Sequence, residues 1–119
     1  MQDNWNAYLK SLSPALKALR QGSPDVMKSF SGLAQAALAP QALDTKTKEL
    51  IALAISVATR CDDCIGFHAK AALEQGASRE EVFETLGTAI YLGAGPAVMY
   101  AAHAIEAFDQ LAQPAPAAA

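Results

Sequence analysis

Cysteine and histidine are scarce in this chain, with two of each among 119 residues. So few thiols build no disulfide framework, and in a cytosolic chain a C-x2-C pair reads as redox-active or metal-binding rather than as a structural staple. Charge is also thin, at 18% of residues, and the net charge of −3 with a pI near 5.2 leaves no basic footprint for nucleic acid or an anionic membrane. Long apolar runs are missing too. The most apolar stretch, Leu50 to Ala58, is about half of what a membrane span requires. The opening Met1-Gln2-Asp3-Asn4-Trp5-Asn6 is polar and does not resemble a signal peptide, so the expected compartment is the cytoplasm. No internal repeat and no strand-like alternation is present.

What the chain does have is apolar surface, 52% of residues, much of it alanine that suits closely approaching helices. A single domain of this length has too little interior to hide it all, which predicts a homo-oligomer. The expected fold is all-α, a compact domain of about six helices over residues 1–112, followed by a disordered Ala/Pro tail at 113–119. Asp3 to Leu12 reads as a short amphipathic helix with Trp5, Tyr8, Leu9 and Leu12 on one side. Ser13-Pro14 and Ser23-Pro24 are helix starts, the second leading a helix to about Leu38. Asp44 or Thr45 caps a helix to Thr59 whose Leu50–Ala58 portion is apolar nearly all round, predicting burial on several sides at the centre of the fold. Arg60 and Cys61 turn the corner into a helix from Asp62 to a left-handed cap at Gly76. Ser78 and Glu81 form a capping box for a helix that sends Val82, Phe83, Leu86, Ile90 and Tyr91 towards the core. Gly93-Ala94-Gly95-Pro96 breaks that helix, and a last one runs from Pro96 to Leu111.

The chemistry concentrates at the corner, Cys61-Asp62-Asp63-Cys64-Ile65-Gly66-Phe67-His68. Two thiols at i and i+3 can close a reducible disulfide or hold half of a metal site. A helix N-terminus favours thiolate, and Arg60 adds to this, while Asp62 and Asp63 oppose it. An oxidised sulfur on one cysteine has the other within reach, so a sulfenic acid would be resolved to a disulfide. His68 stands one turn beyond Cys64 on the same face, placed to take a thiol proton. Glu49, an acid beside an apolar run, is the candidate to orient it. In a straight antiparallel pair the two are offset, Glu49 lying roughly 16–18 Å of helix from the corner and His68 about 10 Å, so a crossing angle, long side chains or a bridging water must close the gap. Other readings stand beside this one. Cys61, Cys64 and His68 with Glu49 or His103 could form a zinc site. Glu49 could be a solvated first-turn acid, and His68 or His103 a packed structural histidine.

Glu49, Cys61 twelve residues on, and C-x2-C-x3-H through His68 resemble the signature of the alkyl hydroperoxidase D-like branch of the carboxymuconolactone decarboxylase family. The frame around them, Leu43-Asp44-x4-Glu49-Leu50 before and Ala71-Ala72-Leu73-x2-Gly76-Ala77-Ser78-x2-Glu81 after, is similar as well, and the resemblance spans Ser23 to Ala107. It implies an all-helical oligomer, trimer or hexamer, with the site on a helix hairpin. It also implies a thiol peroxidase or disulfide oxidoreductase that takes a hydroperoxide and a dithiol or protein electron donor, without cofactor or metal. In that scheme Cys64 meets peroxide, Cys61 resolves it and receives electrons, and Glu49 with His68 relays protons. The well-studied peroxidase form has a second histidine just before its second cysteine, where this chain has Asp63. The decarboxylating branch lacks the cysteine pair, so lactone decarboxylation is not implied.

Overall fold

The computed structural model describes residues 4–113, which form six helices and, among those residues, no strand. They are α1 (Trp5–Ser11), α2 (Ser13–Gly22), α3 (Pro24–Leu38), α4 (Thr45–Ala58), α5 (Asp62–Glu74) and α6 (Arg79–Ala112). The expected tail lies, apart from Gln113, outside the described residues, as do Met1 to Asp3.

Local chemistry sets most of the boundaries. Asn4 caps α1 by accepting the Ala7 amide at 3.0 Å, and Asp44 caps α4 by accepting that of Thr47 at 2.8 Å. Ser78 and Glu81 complete a reciprocal capping box at the start of α6. Two helices end in the same motif. After α5, Gly76 at φ 85 donates to the Leu73 carbonyl and Ala77 to that of Ala72. After α4, Arg60 at φ 59 donates to Val57 and Cys61 to Ser56. Both are Schellman caps, one with the glycine such a turn favours and one without it.

The core lies where α4, α5 and α6 pack pairwise, with α1 laid across α5 and α6. Trp5, Leu53, Val57, Ile65 and Val82 are its largest fully enclosed side chains, and burying each contributes about 1.5–3 kcal/mol. Alanines at 69, 72, 89, 97, 101, 104 and 107 keep the helices close. Gly66 serves the same end: a Cβ there would stand 2.6 Å from Cδ2 of Leu9, so its absence lets α1 seat on α5. Ion pairs tie the rim, Lys46 to Glu81 at 2.9 Å and Arg79 to Asp109 through two hydrogen bonds.

Several expectations need correction. α4 is not buried on several sides. Leu53 and Val57 face inward with Glu49 and Ser56, whereas Ile51 and Ile55, one turn apart, are 45% and 56% exposed. α5 and α6 cover one side of this helix, and among the described residues the side carrying Ile51 and Ile55 stays open. In α6, Val82 and Leu86 are buried, but Phe83 and Tyr91 point outward, Phe83 lying under the Arg79 guanidinium at 4.7 Å. α2 begins at Ser13 itself, with Leu12 in the cap position and Pro14 inside the first turn. The break expected at Gly93–Pro96 is present: Ala94 leaves helical geometry (φ 55, ψ −142) and Pro96 cannot donate to the preceding turn, so α6 is two helical segments joined at a kink. By length and composition α6 is also the one described helix apolar enough to cross a membrane; here it is kinked and packs on α4 and α5.

Candidate active site

The Schellman cap after α4 delivers Cys61 to the N-cap of α5. Its extended backbone lets the side chain turn back over the helix start, where Sγ accepts the Cys64 amide at 3.2 Å. The Cα atoms of the two cysteines are 5.2 Å apart and their sulfurs are joined in a disulfide. Both residues are half-buried. In the reduced protein the same amide favours charge on the Cys61 sulfur, since a helix N-terminus carries partial positive charge.

His68 follows one turn later, its side chain 32% exposed, and its Nδ1 lies 2.7 Å from Oε2 of Glu49. Glu49, in the second turn of α4, retains 6% of its side-chain surface. An ionised carboxylate only accepts, so Nδ1 donates and Nε2 is left for proton exchange. The axial offset between the two residues closes through direct contact, without a bridging water. Glu49 is therefore no solvated acid, and its burial is offset by this bond.

The two aspartates of the motif have partners from other helices. Tyr8 of α1 donates its hydroxyl to Oδ1 of Asp63. That bond, together with burial and the negative charge of Asp63 and Asp62, pushes the Tyr8 hydroxyl up to about 12. His103 of α6 places Nδ1 2.7 Å from Oδ1 of Asp62, with side chains 16% and 24% exposed, and the Tyr100 ring lies 4.9 Å from the imidazole. The structure thus pairs Cys61 with Cys64 and Glu49 with His68 on the α4–α5 hairpin, and His103 with Asp62. With both sulfurs in a disulfide neither is a thiolate, and no group of three or more His, Cys, Asp or Glu side chains among the described residues is arranged to hold a metal.

The role of Tyr8 is not marked locally: in the sequence it is one member of the stripe with Trp5, Leu9 and Leu12, and its partner is 55 residues away. The one available signal was its hydroxyl on an otherwise apolar face.

Comparison with known proteins bears on the family and the fold. The sequence profile of the carboxymuconolactone decarboxylase family matches residues 24–107. A protein of Cupriavidus necator, described as uncharacterized, is 41% identical over 111 residues, covering 93% of this chain and 98% of that one. An uncharacterized protein of Haemophilus influenzae is 40% identical, with 92% and 96% covered. Among solved structures, an apo carboxymuconolactone decarboxylase family protein from Legionella pneumophila superposes with a TM-score of 0.91 at 47% identity, over 94% of this chain and all of that one. A Thermotoga maritima protein of the same family, whose name ties it to the antioxidative response, gives 0.78 at 33% identity over 87% and 89%. The chain belongs to the carboxymuconolactone decarboxylase family.

Proposed function

We propose that this protein is a thiol-dependent peroxidase or disulfide oxidoreductase, cycling through the Cys61–Cys64 disulfide with Glu49 and His68 as its proton relay. The observation that carries the reading is the 2.7 Å contact between the buried Glu49 carboxylate and His68 Nδ1, on the same hairpin as the cysteine pair. A carboxylate that fixes an imidazole by Nδ1 leaves Nε2 as acid and base for a neighbouring nucleophile. The family, and the antioxidative tie of one neighbour, support the same assignment.

In the forward half, His68 takes the Cys64 thiol proton and the thiolate attacks the peroxide oxygen. The O–O bond breaks, the alcohol leaves with a proton, and Cys64 becomes a sulfenic acid. Cys61 then attacks that sulfur, water leaves, and the disulfide forms. A dithiol donor returns two electrons and two protons. Substrate and donor are thus a hydroperoxide and a dithiol, and the chemistry calls on no metal or cofactor. The expected setting is a cytoplasmic homo-oligomer, trimeric or hexameric.

The test begins with reduced protein and one equivalent of an organic hydroperoxide, followed by mass spectrometry. The expected product is an intramolecular Cys61–Cys64 disulfide, with turnover abolished in Cys64→Ser and reduced by roughly a hundredfold in Glu49→Gln. Two unreacted thiols, or irreversible sulfonate alone, would overturn the reading.

A further inference from the structure

Asp62 and Asp63 put negative charge beside the cysteines, which works against a thiolate at either sulfur. Each has a partner, but the partners differ in kind. Tyr8 is a neutral donor that ties Asp63 to α1, whereas His103 is a group able to carry positive charge. Asp62 directly follows Cys61, whose sulfur already caps α5. The His103 side chain, at 16% exposure, is more enclosed than that of His68 at 32%, so water screens its charge less. Its ring is held on two sides, by Asp62 at Nδ1 and by Tyr100 at 4.9 Å between centroids. His68 lies one turn past Cys64, and the relay with Glu49 uses that histidine alone. The Cys61 half of the pair has no assigned group.

We propose that His103 is a positioning residue for Cys61: held on Asp62, it offsets the negative charge beside the Cys61 sulfur and favours Cys61 as a leaving thiolate. The reductive half-reaction shows where this matters. A thiolate of a dithiol donor attacks the Cys61 sulfur, a donor–Cys61 disulfide forms, and Cys64 leaves as thiolate, reprotonated through His68. The donor's second thiolate then attacks the donor sulfur of the mixed disulfide. The donor closes its own disulfide, Cys61 leaves with the electron pair, and the two protons shed by the donor balance the two taken up by the protein thiols. That second departure is the step His103 eases, because a better-stabilised thiolate leaves faster. This kinetic role rests on the redox reading above; the effect on Cys61 charge does not.

The ionisable groups nearest to the pair in sequence are Arg60 on the connector before Cys61, Asp63, bonded by Tyr8 of α1, and Tyr100 and Glu106 on α6, Tyr100 lying against the imidazole; Glu49 of α4 and His68 of α5 are bonded to each other. None of these is hydrogen-bonded to Asp62 or His103 among the described residues, and the charge of Asp62 also reaches the Tyr8 hydroxyl.

The test isolates Cys61 in a Cys64→Ser background and follows its alkylation by iodoacetamide against pH, which reads the thiolate fraction without any peroxide. His103→Asn is expected to move the titration midpoint upward, leaving roughly threefold to tenfold less thiolate at neutral pH. Asp62→Asn moves it downward, and with Asp62→Asn in place the effect of His103→Asn shrinks to near nothing. In the two-cysteine protein, His103→Asn slows reduction by dithiothreitol in the same sense. An unmoved midpoint with unchanged circular dichroism would overturn the proposal, as would an equal His103→Asn effect with and without Asp62. Should His103→Asn fail to fold, His103→Gln takes its place, and an unmoved midpoint there counts against the proposal. A protein that reduces peroxide normally while the midpoint stays put sinks this inference only; one that reduces no peroxide while the midpoint moves sinks the enzymatic reading only.

Discussion

Tyr8 and Asp63 show how one hydrogen bond can couple a terminal helix to a chemical motif. The bond holds the Tyr8 hydroxyl near 12, against an ordinary value of 10.0, because ionising it would place a phenolate against a carboxylate. The folded-state value is raised above the unfolded one. The contribution to stability is therefore complete below about pH 10 and is lost as pH climbs through about 12. Trp5, the sole tryptophan, is fully buried on the same short helix and meets the Tyr8 ring edge-on at 5.9 Å. Its fluorescence should report release of α1 across that alkaline window, and Tyr8→Phe should remove the pH-dependent step while weakening α1 docking at neutral pH. An alkaline transition identical in the two proteins would show that another group controls the release.

At the scale of elements, the two Schellman caps form a natural comparison. Gly76 occupies its left-handed position at no steric cost, whereas Arg60 holds the same kind of position with a Cβ. Gly76→Ala is expected to destabilise by about 1 kcal/mol, and Arg60→Gly to stabilise by about 0.5–1 kcal/mol, both read from urea midpoints. Equal signs for the two would mean that the turns are not equivalent. The same pair shows what was legible beforehand. Gly76, the Ser78–Glu81 box, the Asp44 cap and the C-x2-C-x3-H spacing are local signals, and each appears in the sequence within eight residues. The turn at Arg60 was legible only as a corner, since no glycine marks its left-handed residue. Contacts between distant residues, Tyr8 with Asp63 and His103 with Asp62, had no local signal beyond the Tyr8 hydroxyl on an apolar face. Glu49 and His68 were legible as candidates, but axial rise alone set them several ångströms apart; the direct contact that joins them depends on how α4 and α5 pack.

For the whole molecule, the informative feature is apolar surface left open. α2 and α3 together span residues 13–38 and bury no residue in this chain, although Leu19, Val26, Phe30 and Leu33 are all at least half exposed. Ile51 and Ile55 on α4, and Tyr91, Leu92 and Met99 around the α6 kink, add to the same account, with Tyr91 at 84% and Leu92 at 81% exposure. Composition correctly signals the excess of apolar residues but cannot say which side of α4 or α6 carries it, because a helix apolar all round looks the same whether its own chain or a neighbouring copy covers it. A helical hairpin that buries none of its own residues cannot hold its place by propensity alone, as short helices in water are marginal. A second copy of this chain is the occupant that fits, since the open faces are apolar and alanine-lined rather than charged. Sedimentation velocity should therefore find an oligomer at micromolar concentration, and Phe30→Asp or Leu92→Lys should shift it to smaller species with a lower melting temperature. Because Glu49 retains little surface within one chain, the Glu49–His68 contact should survive dissociation even as stability falls. A monomeric wild-type protein with an ordered α2–α3 hairpin would show that these faces are held by intrachain forces that the contacts described above do not include.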